Sequence, residues 1–228
     1  MIRIFFLFLA FTFMFSLLEA QYKIQALHYA DGKPVEITIK DGDIHDVKSL
    51  NGKIHNIQDL YVAPGLIDNQ VNGFAGVSFS FGGSDLTYRG VKKATKELWE
   101  KGVTTYLPTL TTNSQEILVH NFSILAGSMN DEELLGSIPG FHLEGPYINP
   151  GDGYRGAHPK RFVRLPDWQD FMEMYEAANE RIIQVTLAPE MEGALDFITK
   201  CRQLGIVVAL GHHNASTAII EEAVLRGA

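Results

Sequence analysis

At 228 residues the chain has room for one large domain, and 46% hydrophobic with 20% charged residues is the composition of a folded globular protein, which excludes a disordered chain. The balance of 19 basic against 27 acidic residues gives a net charge of −8 with no dense Lys/Arg run, which excludes a nucleic-acid footprint and leaves a small molecule as the expected partner. A single cysteine, Cys201, excludes an internal disulfide.

Residues 1–20 have the layout of a secretory signal peptide. Arg3 gives a positive start, Ile4 to Leu18 is almost wholly apolar, and Leu18-Glu19-Ala20 ends on a small residue before Gln21. The apolar run is shorter than the roughly 20 residues of a spanning helix. Export to a periplasm or the outside is therefore expected, with a membrane anchor or a cytoplasmic location as alternatives. From 21 to 60 the texture is short and alternating, as in Val35-Glu36-Ile37-Thr38-Ile39-Lys40, with Asp31-Gly32, Asp41-Gly42 and Asn51-Gly52 as turn signals. This predicts hairpins of a small β-domain.

Beyond residue 60, apolar strands alternate with helical stretches, the pattern of βα units on a parallel sheet. Strands are predicted over about 60–67, 103–108, 138–143, 182–187 and 206–210, and helices over about 86–101, 114–129, 167–180, 192–204 and 217–226, with Gly102 and Gly205 as helix stops. Five such units do not close an eight-stranded barrel. The sheet is either doubly wound or part of a larger barrel.

Two runs place a metal-ligand side chain directly after an apolar strand: Phe141-His142-Leu143-Glu144-Gly145-Pro146, and Val207-Val208-Ala209-Leu210-Gly211-His212-His213. At the carboxyl ends of two strands of one barrel, a carboxylate and an imidazole converge on one mouth. Glu144 alternatively caps a turn or pairs with Arg155. Of the adjacent His212 and His213, extended geometry lets one face the mouth. Gln70 and Asn72 alternate onto one face past a strand end, where their amides suit a water or a sugar hydroxyl, or a plain Asn-Gly turn. The glycine-rich stretch from Asp152 to Pro159 carries Arg155 and His158 close after Glu144, and is either a loop that closes over a polar ligand or a surface loop. Cys201 reads as an inert core residue on a helix, and Lys92, Lys93, Lys96 and Glu97 as a solvated helix face.

Together, Ala63-Pro64-Gly65-Leu66-Ile67-Asp68, His142-Leu143-Glu144-Gly145-Pro146, Gly156-Ala157-His158 and Gly211-His212-His213-Asn214-Ala215 resemble the N-acetylglucosamine-6-phosphate deacetylases of the amidohydrolase superfamily, in order and spacing from about residue 21 to the end. The resemblance implies an α/β fold: a (β/α)8 TIM-like barrel, here incomplete, with a small β-sandwich built from both chain ends. Residues 21–60 fall in the small β-domain and 61–228 in the N-terminal part of the barrel. It also implies a divalent metal, one zinc, with Glu144 and His212 as two of its ligands and Gln70, Asn72, Ala157 and His158 as substrate contacts. Gln70 and Asn72 stand where other members carry a His-x-His pair for a second metal. The third ligand and the general acid/base, an aspartate, are expected beyond Ala228, so no catalytic residue is expected within the chain.

The implied reaction hydrolyses N-acetylglucosamine 6-phosphate, or a related N-acetyl amino sugar, to acetate and the amino sugar, in a homodimer serving amino-sugar catabolism. Export favours an unphosphorylated sugar, and the chain alone is expected to be an inactive fragment. Another amidohydrolase, such as a cyclic amidase, or a non-catalytic sugar-binding remnant are the alternatives.

Overall fold

The structure, a computed structural model, describes residues 21–51 and 60–228. The expected signal peptide at 1–20 lies outside the described residues, as does Gly52 of the third turn signal. Among the described residues no helix is long and apolar enough to cross a membrane. The chain divides into two compact units, Met1–Pro64 and Gly65–Ala228.

Among the described residues the first unit holds one four-stranded sheet in the order β3-β2-β1-β4. Strands β1 (Gln21–His28), β2 (Pro34–Lys40) and β3 (Asp43–Ser49) form an antiparallel meander, and β4 (Tyr61–Val62) pairs parallel with β1. The β2–β3 turn is Asp41-Gly42 with φ of 53° and 91°. Positive φ at both central residues is the tight hairpin turn whose twist matches the flanking strands, which is why Asp-Gly signals it. Val35 and Ile37 of β2 are buried on one face.

The predicted strand over 60–67 is two strands that belong to different units. β4 ends at Val62, and β5 (Leu66–Val71) opens the larger sheet. Pro64 has no N–H for a ladder, and a Cβ on Gly65 would collide with the Thr104 side chain, so the backbone passes only as glycine. The boundary between the units thus falls at Pro64, slightly later than the expected one after residue 60.

The second unit holds five parallel strands, β5, β8 (Val103–Thr111), β9 (Phe141–Glu144), β10 (Ile182–Leu187) and β11 (Val207–Leu210), in strictly sequential order. A short hairpin, β6 (Gly73–Phe74) and β7 (Val77–Ser78), follows β5. Helices α1 (Tyr88–Trp99), α2 (Gln115–Ser128), α3 (Trp168–Ala177), α4 (Ala194–Gln203) and α5 (Thr217–Arg226) follow the five strands in turn. A doubly wound sheet reverses its strand order at a switch point. None occurs here, so right-handed crossovers put every helix on one face and the sheet is an arc of a (β/α)8 barrel.

Helix α5 has the predicted bounds, and α1, α2 and α3 start later than predicted because the polar residue at each start is a cap. Thr87, Ser114, Asp167 and Ser216 each accept a backbone N–H of the first turn, satisfying donors that a helix start leaves open. β9 starts later than predicted, after Pro139 and Gly140, since proline cannot donate to the ladder. The core fills with Tyr106, Leu110, Phe122, Phe141, Leu143, Tyr147 and Phe171, all fully buried. Tyr106 satisfies its hydroxyl on Thr95 Oγ1 at 2.8 Å. Lys92 pairs with Asp131 and Glu133 and Lys96 with Glu133 on the surface of α1, a solvated network of small energetic weight.

Cys201 is fully buried on α4 and burial raises its thiol pKa to about 12. A thiol held neutral and inaccessible does not react. Ellman's reagent at pH 8 is expected to find no free thiol in the native chain and one per chain in 6 M guanidinium; rapid native labelling would contradict this burial.

Candidate metal centre

In a strand, residues two apart share a face, so β9 turns His142 and Glu144 the same way. Glu144 is the last residue of that strand, opposite Thr111 of β8 and Thr186 of β10. Gly145 follows with φ +75°, and a Cβ there would collide with Thr112 Oγ1, which explains the glycine after the glutamate. The side chain of Glu144 is buried at the carboxyl ends of the strands, where Gln70 Nε2 donates to its Oε2 at 2.9 Å.

Beyond β11 the His212-His213 doublet divides. His212 sits at φ +51°, and its ring reaches across the end of β10 to place Nε2 3.1 Å from Glu144 Oε1 at the end of β9. His213 instead closes its own turn, its Nδ1 accepting from Ala215 N at 3.2 Å. His158, from the glycine-rich loop, completes the group: its Nε2 is 3.9 Å from Glu144 Oε1, and its ring stands edge-on to His212 with centroids 4.4 Å apart. One ligand atom from each of Glu144, His158 and His212 lies within 4.8 Å of the others. Arg155 does not reach Glu144. It pairs with Asp152 and donates to the carbonyl of His158, bracing the loop from inside.

The hydrogen bonds of the far ring nitrogens assign the tautomers. His212 Nδ1 donates to the Tyr154 carbonyl at 3.0 Å, which turns Nε2 to the carboxylate, where a proton between Nε2 and Glu144 Oε1 makes the hydrogen bond and a cation in its place would be ligated by both. His158 has the opposite arrangement. Its Nδ1 accepts from the Thr112 backbone N–H at 3.4 Å and lies 2.7 Å from Thr112 Oγ1, so Nε2 carries the proton. The first ring is set up to ligate and the second to donate.

Burial pushes the Glu144 carboxyl up, but the His158 and His212 rings beside it outweigh that and hold its pKa at about 2, below the ordinary 4.5. A depressed carboxyl stabilises the fold fully above about pH 4.5, and that contribution is lost as pH falls through about 2. Urea midpoints measured from pH 5 to pH 2 are therefore expected to fall more steeply for the native chain than for Glu144→Gln; parallel slopes would mean that the carboxylate is not held ionised.

No family model matches the chain. Individual relatives do. It is 39% identical over 174 residues to the N-acetylglucosamine-6-phosphate deacetylase of Danio rerio, covering 75% of this chain and 42% of that protein. With the deacetylase of Caenorhabditis elegans it is 34% identical over 208 residues, 86% of this chain and 49% of the relative. The crystal structure of the Mycobacterium smegmatis deacetylase matches with a TM-score of 0.75 at 27% identity, over 90% of this chain and 54% of that one. The chain is similar in sequence and fold to the N-acetylglucosamine-6-phosphate deacetylases. It spans about half the length of the curated relatives it matches.

The donor set fits the divalent metal that kinship with these deacetylases implies. A bare imidazole nitrogen and an ionised carboxylate oxygen 3.1 Å apart repel unless a proton or a cation lies between them. Two ligands of one zinc, each at about 2.0–2.2 Å, stand roughly 3.3 Å apart in tetrahedral geometry, close to this spacing. His158 Nε2 is wider, at 3.9 Å, and protonated in its present tautomer.

The other residues expected at the site fall into two places. Asn72, Ala157 and His158 line one cleft of about 320 Å³ together with Ser78, Ser80 and Thr111. Gln70 is elsewhere, on the Glu144 carboxylate. Sequence reasoning singled out neither that contact nor His142 as part of the site. His142 is fully buried beneath Glu144, its Nε2 2.8 Å from Thr186 Oγ1 and its Nδ1 3.3 Å from Thr109 Oγ1. Burial lowers its pKa to about 4, so the ring is a neutral spacer under the carboxylate. Its position two residues before Glu144 in a strand was the available signal.

Proposed function

We propose that the protein to which this chain belongs hydrolyses the acetamide of N-acetylglucosamine 6-phosphate, or of a related N-acetyl amino sugar, giving acetate and the amino sugar with the help of a single zinc ion. The observation that carries this reading is the meeting of Glu144 and His212, from the ends of two strands on either side of β10, in the geometry of two ligands of one ion. Its support in substrate comes from a relative: a point variant of the Mycobacterium smegmatis deacetylase, in complex with N-acetyl-D-glucosamine-6-phosphate, matches this chain with a TM-score of 0.76 at 26% identity, over 92% of this chain and 54% of that one.

Glu144 Oε1 and His212 Nε2 would hold the metal. When bound, the ion supplies polarisation of an amide carbonyl and acidification of water toward neutral pH. Gln70 occupies Glu144 Oε2 and so leaves Oε1 as the coordinating oxygen. His158 directs its Nε2–H at the same point and would donate to an oxygen of the substrate, while Asn72 and Ala157 line the cleft that receives the sugar. No aspartate belongs to the cluster among the described residues. Protonation of the departing amine, without which it leaves poorly, is therefore assigned to an aspartate outside the cluster. We also propose export through residues 1–20 and a homodimer, both on sequence and kinship alone.

The test is acetate release. A polypeptide that carries this chain and spans the length of its relatives should deacetylate N-acetylglucosamine 6-phosphate when zinc is present, and the 228-residue chain alone should release little acetate. A zinc-loaded long form that releases acetate from no N-acetyl amino sugar, phosphorylated or free, would rule the reading out.

A further inference from the structure

His212 does not hold its orientation unaided. A non-glycine residue at φ +51° is in a sparsely populated conformation that persists only where the surroundings over-determine it. The surroundings here converge on one atom. Glu190, on the turn after β10, accepts at Oε1 from the Asn214 backbone N–H at 2.6 Å and from Asn149 Nδ2 at 2.7 Å. Asn149 in turn grips the other end of the turn, its backbone N–H donating to the His212 carbonyl at 3.0 Å. The same Asn149 caps the start of the glycine-rich loop, accepting from Gly151 N at 2.8 Å, and that loop carries the Tyr154 carbonyl that takes the proton of His212 Nδ1. A single carboxylate oxygen thus ties down both ends of the turn from His212 to Asn214 and, through Asn149, the start of the loop whose Tyr154 carbonyl takes the Nδ1 proton.

We infer that Glu190 is the positioning residue of His212, acting through Asn149 and the Asn214 amide to present Nε2 toward Glu144. It touches neither ligand atom. The clamp works by hydrogen bonding and not by charge, because both partners sit on Oε1 while Oε2 is buried with no hydrogen-bond partner among the described residues. An amide oxygen in place of Oε1 therefore serves as well. The inference rests on the reading of His212 as a metal ligand, yet the orientation of the ring is observable without metal.

The experiment compares the native chain with Glu190→Ala and Glu190→Gln by two measurements, Co2+ titration and the ring 15N shifts of the histidines in the metal-free protein. Glu190→Ala is expected to weaken Co2+ binding by about 10–100-fold, the usual effect of removing a group that orients a ligand. It should also move both His212 ring shifts away from their native values as the bonds to the Tyr154 carbonyl and Glu144 loosen, leaving the Nε2–H tautomer of His158 in place. Glu190→Gln, which keeps the acceptor, should stay within about threefold of native affinity and keep the native His212 shifts. Unchanged His212 shifts in Glu190→Ala overturn the inference, as does loss of the native His158 tautomer in the same variant, which would mark a general loss of structure. A native chain that binds no Co2+ counts against the metal reading, and the ring shifts then decide the role of Glu190 alone.

Discussion

Replacing Glu144 with glutamine is expected to lower the affinity of the chain for zinc by more than about 100-fold, beyond the 10–100-fold typical of an outer partner of a metal ligand. The substitution keeps the shape of the side chain and removes its charge. Gln70 can still donate to an amide oxygen, so the carboxylate's hydrogen bond has a substitute and its ionic contribution has none. His212 retains its bond to the Tyr154 carbonyl, and its Nε2 no longer faces an anion. Calorimetric titration of zinc at pH 7 into the native chain, Glu144→Gln and His212→Asn measures this directly. Native-like affinity in Glu144→Gln would show that the metal binds elsewhere. His158→Asn provides the contrast: with its proton on Nε2 the ring is a donor, so its loss should weaken substrate contact more than metal affinity.

The second large effect is on stability. Phe141 is fully buried at the start of β9, its ring 5.9 Å from that of Phe122 on α2, and it begins the strand that carries Glu144. Phe141→Ala removes those contacts and leaves a cavity that close-packed neighbours fill only in part, a change that typically costs about 3–5 kcal/mol. Against total stabilities of about 5–15 kcal/mol this is a large fraction. Urea unfolding followed by circular dichroism should show the loss. Ile67→Ala is the reference, since its side chain is 77% exposed and a surface truncation should move stability by no more than about 0.5 kcal/mol. A Phe141→Ala variant within 1 kcal/mol of native, on the scale where such losses usually run to several, would mean that this core is not packed as described.

Local rules account for what could be read in advance. Asp41-Gly42 supplies the two positive φ values that a tight hairpin demands, so the turn was visible in two letters. The helix starts were legible to within a residue or two, while Ser114 and Asp167, predicted as the first helical residues, are caps whose short polar side chains satisfy the free N–H groups there. Glu144 and His212 were legible for a related reason: each follows an apolar run, and strand ends in a parallel α/β sheet deliver side chains to one mouth. The break at Pro64 was written in the residues too, but it was obscured by apolar neighbours on both sides that suit either sheet.

The chain by itself determined the hairpins, the succession of βα units, the kinship carried by the His142 to Pro146 and Gly211 to Ala215 runs, and two of the three members of the cluster as metal-seeking groups, since these depend on nearest-neighbour chemistry and short periodicities. Only the tertiary structure decided the sequential strand order over a doubly wound one, the placing of Gln70 on the Glu144 carboxylate, the approach of His158 from its loop, and the opposite tautomers of His158 and His212. The reason is distance along the chain. Gln70 and Glu144 are 74 residues apart and His212 and Glu144 are 68 apart, so their contacts exist only once the arc of strands has brought the loops together. A proton's place on an imidazole is then settled by whichever distant carbonyl or amide the fold happens to set against its other nitrogen.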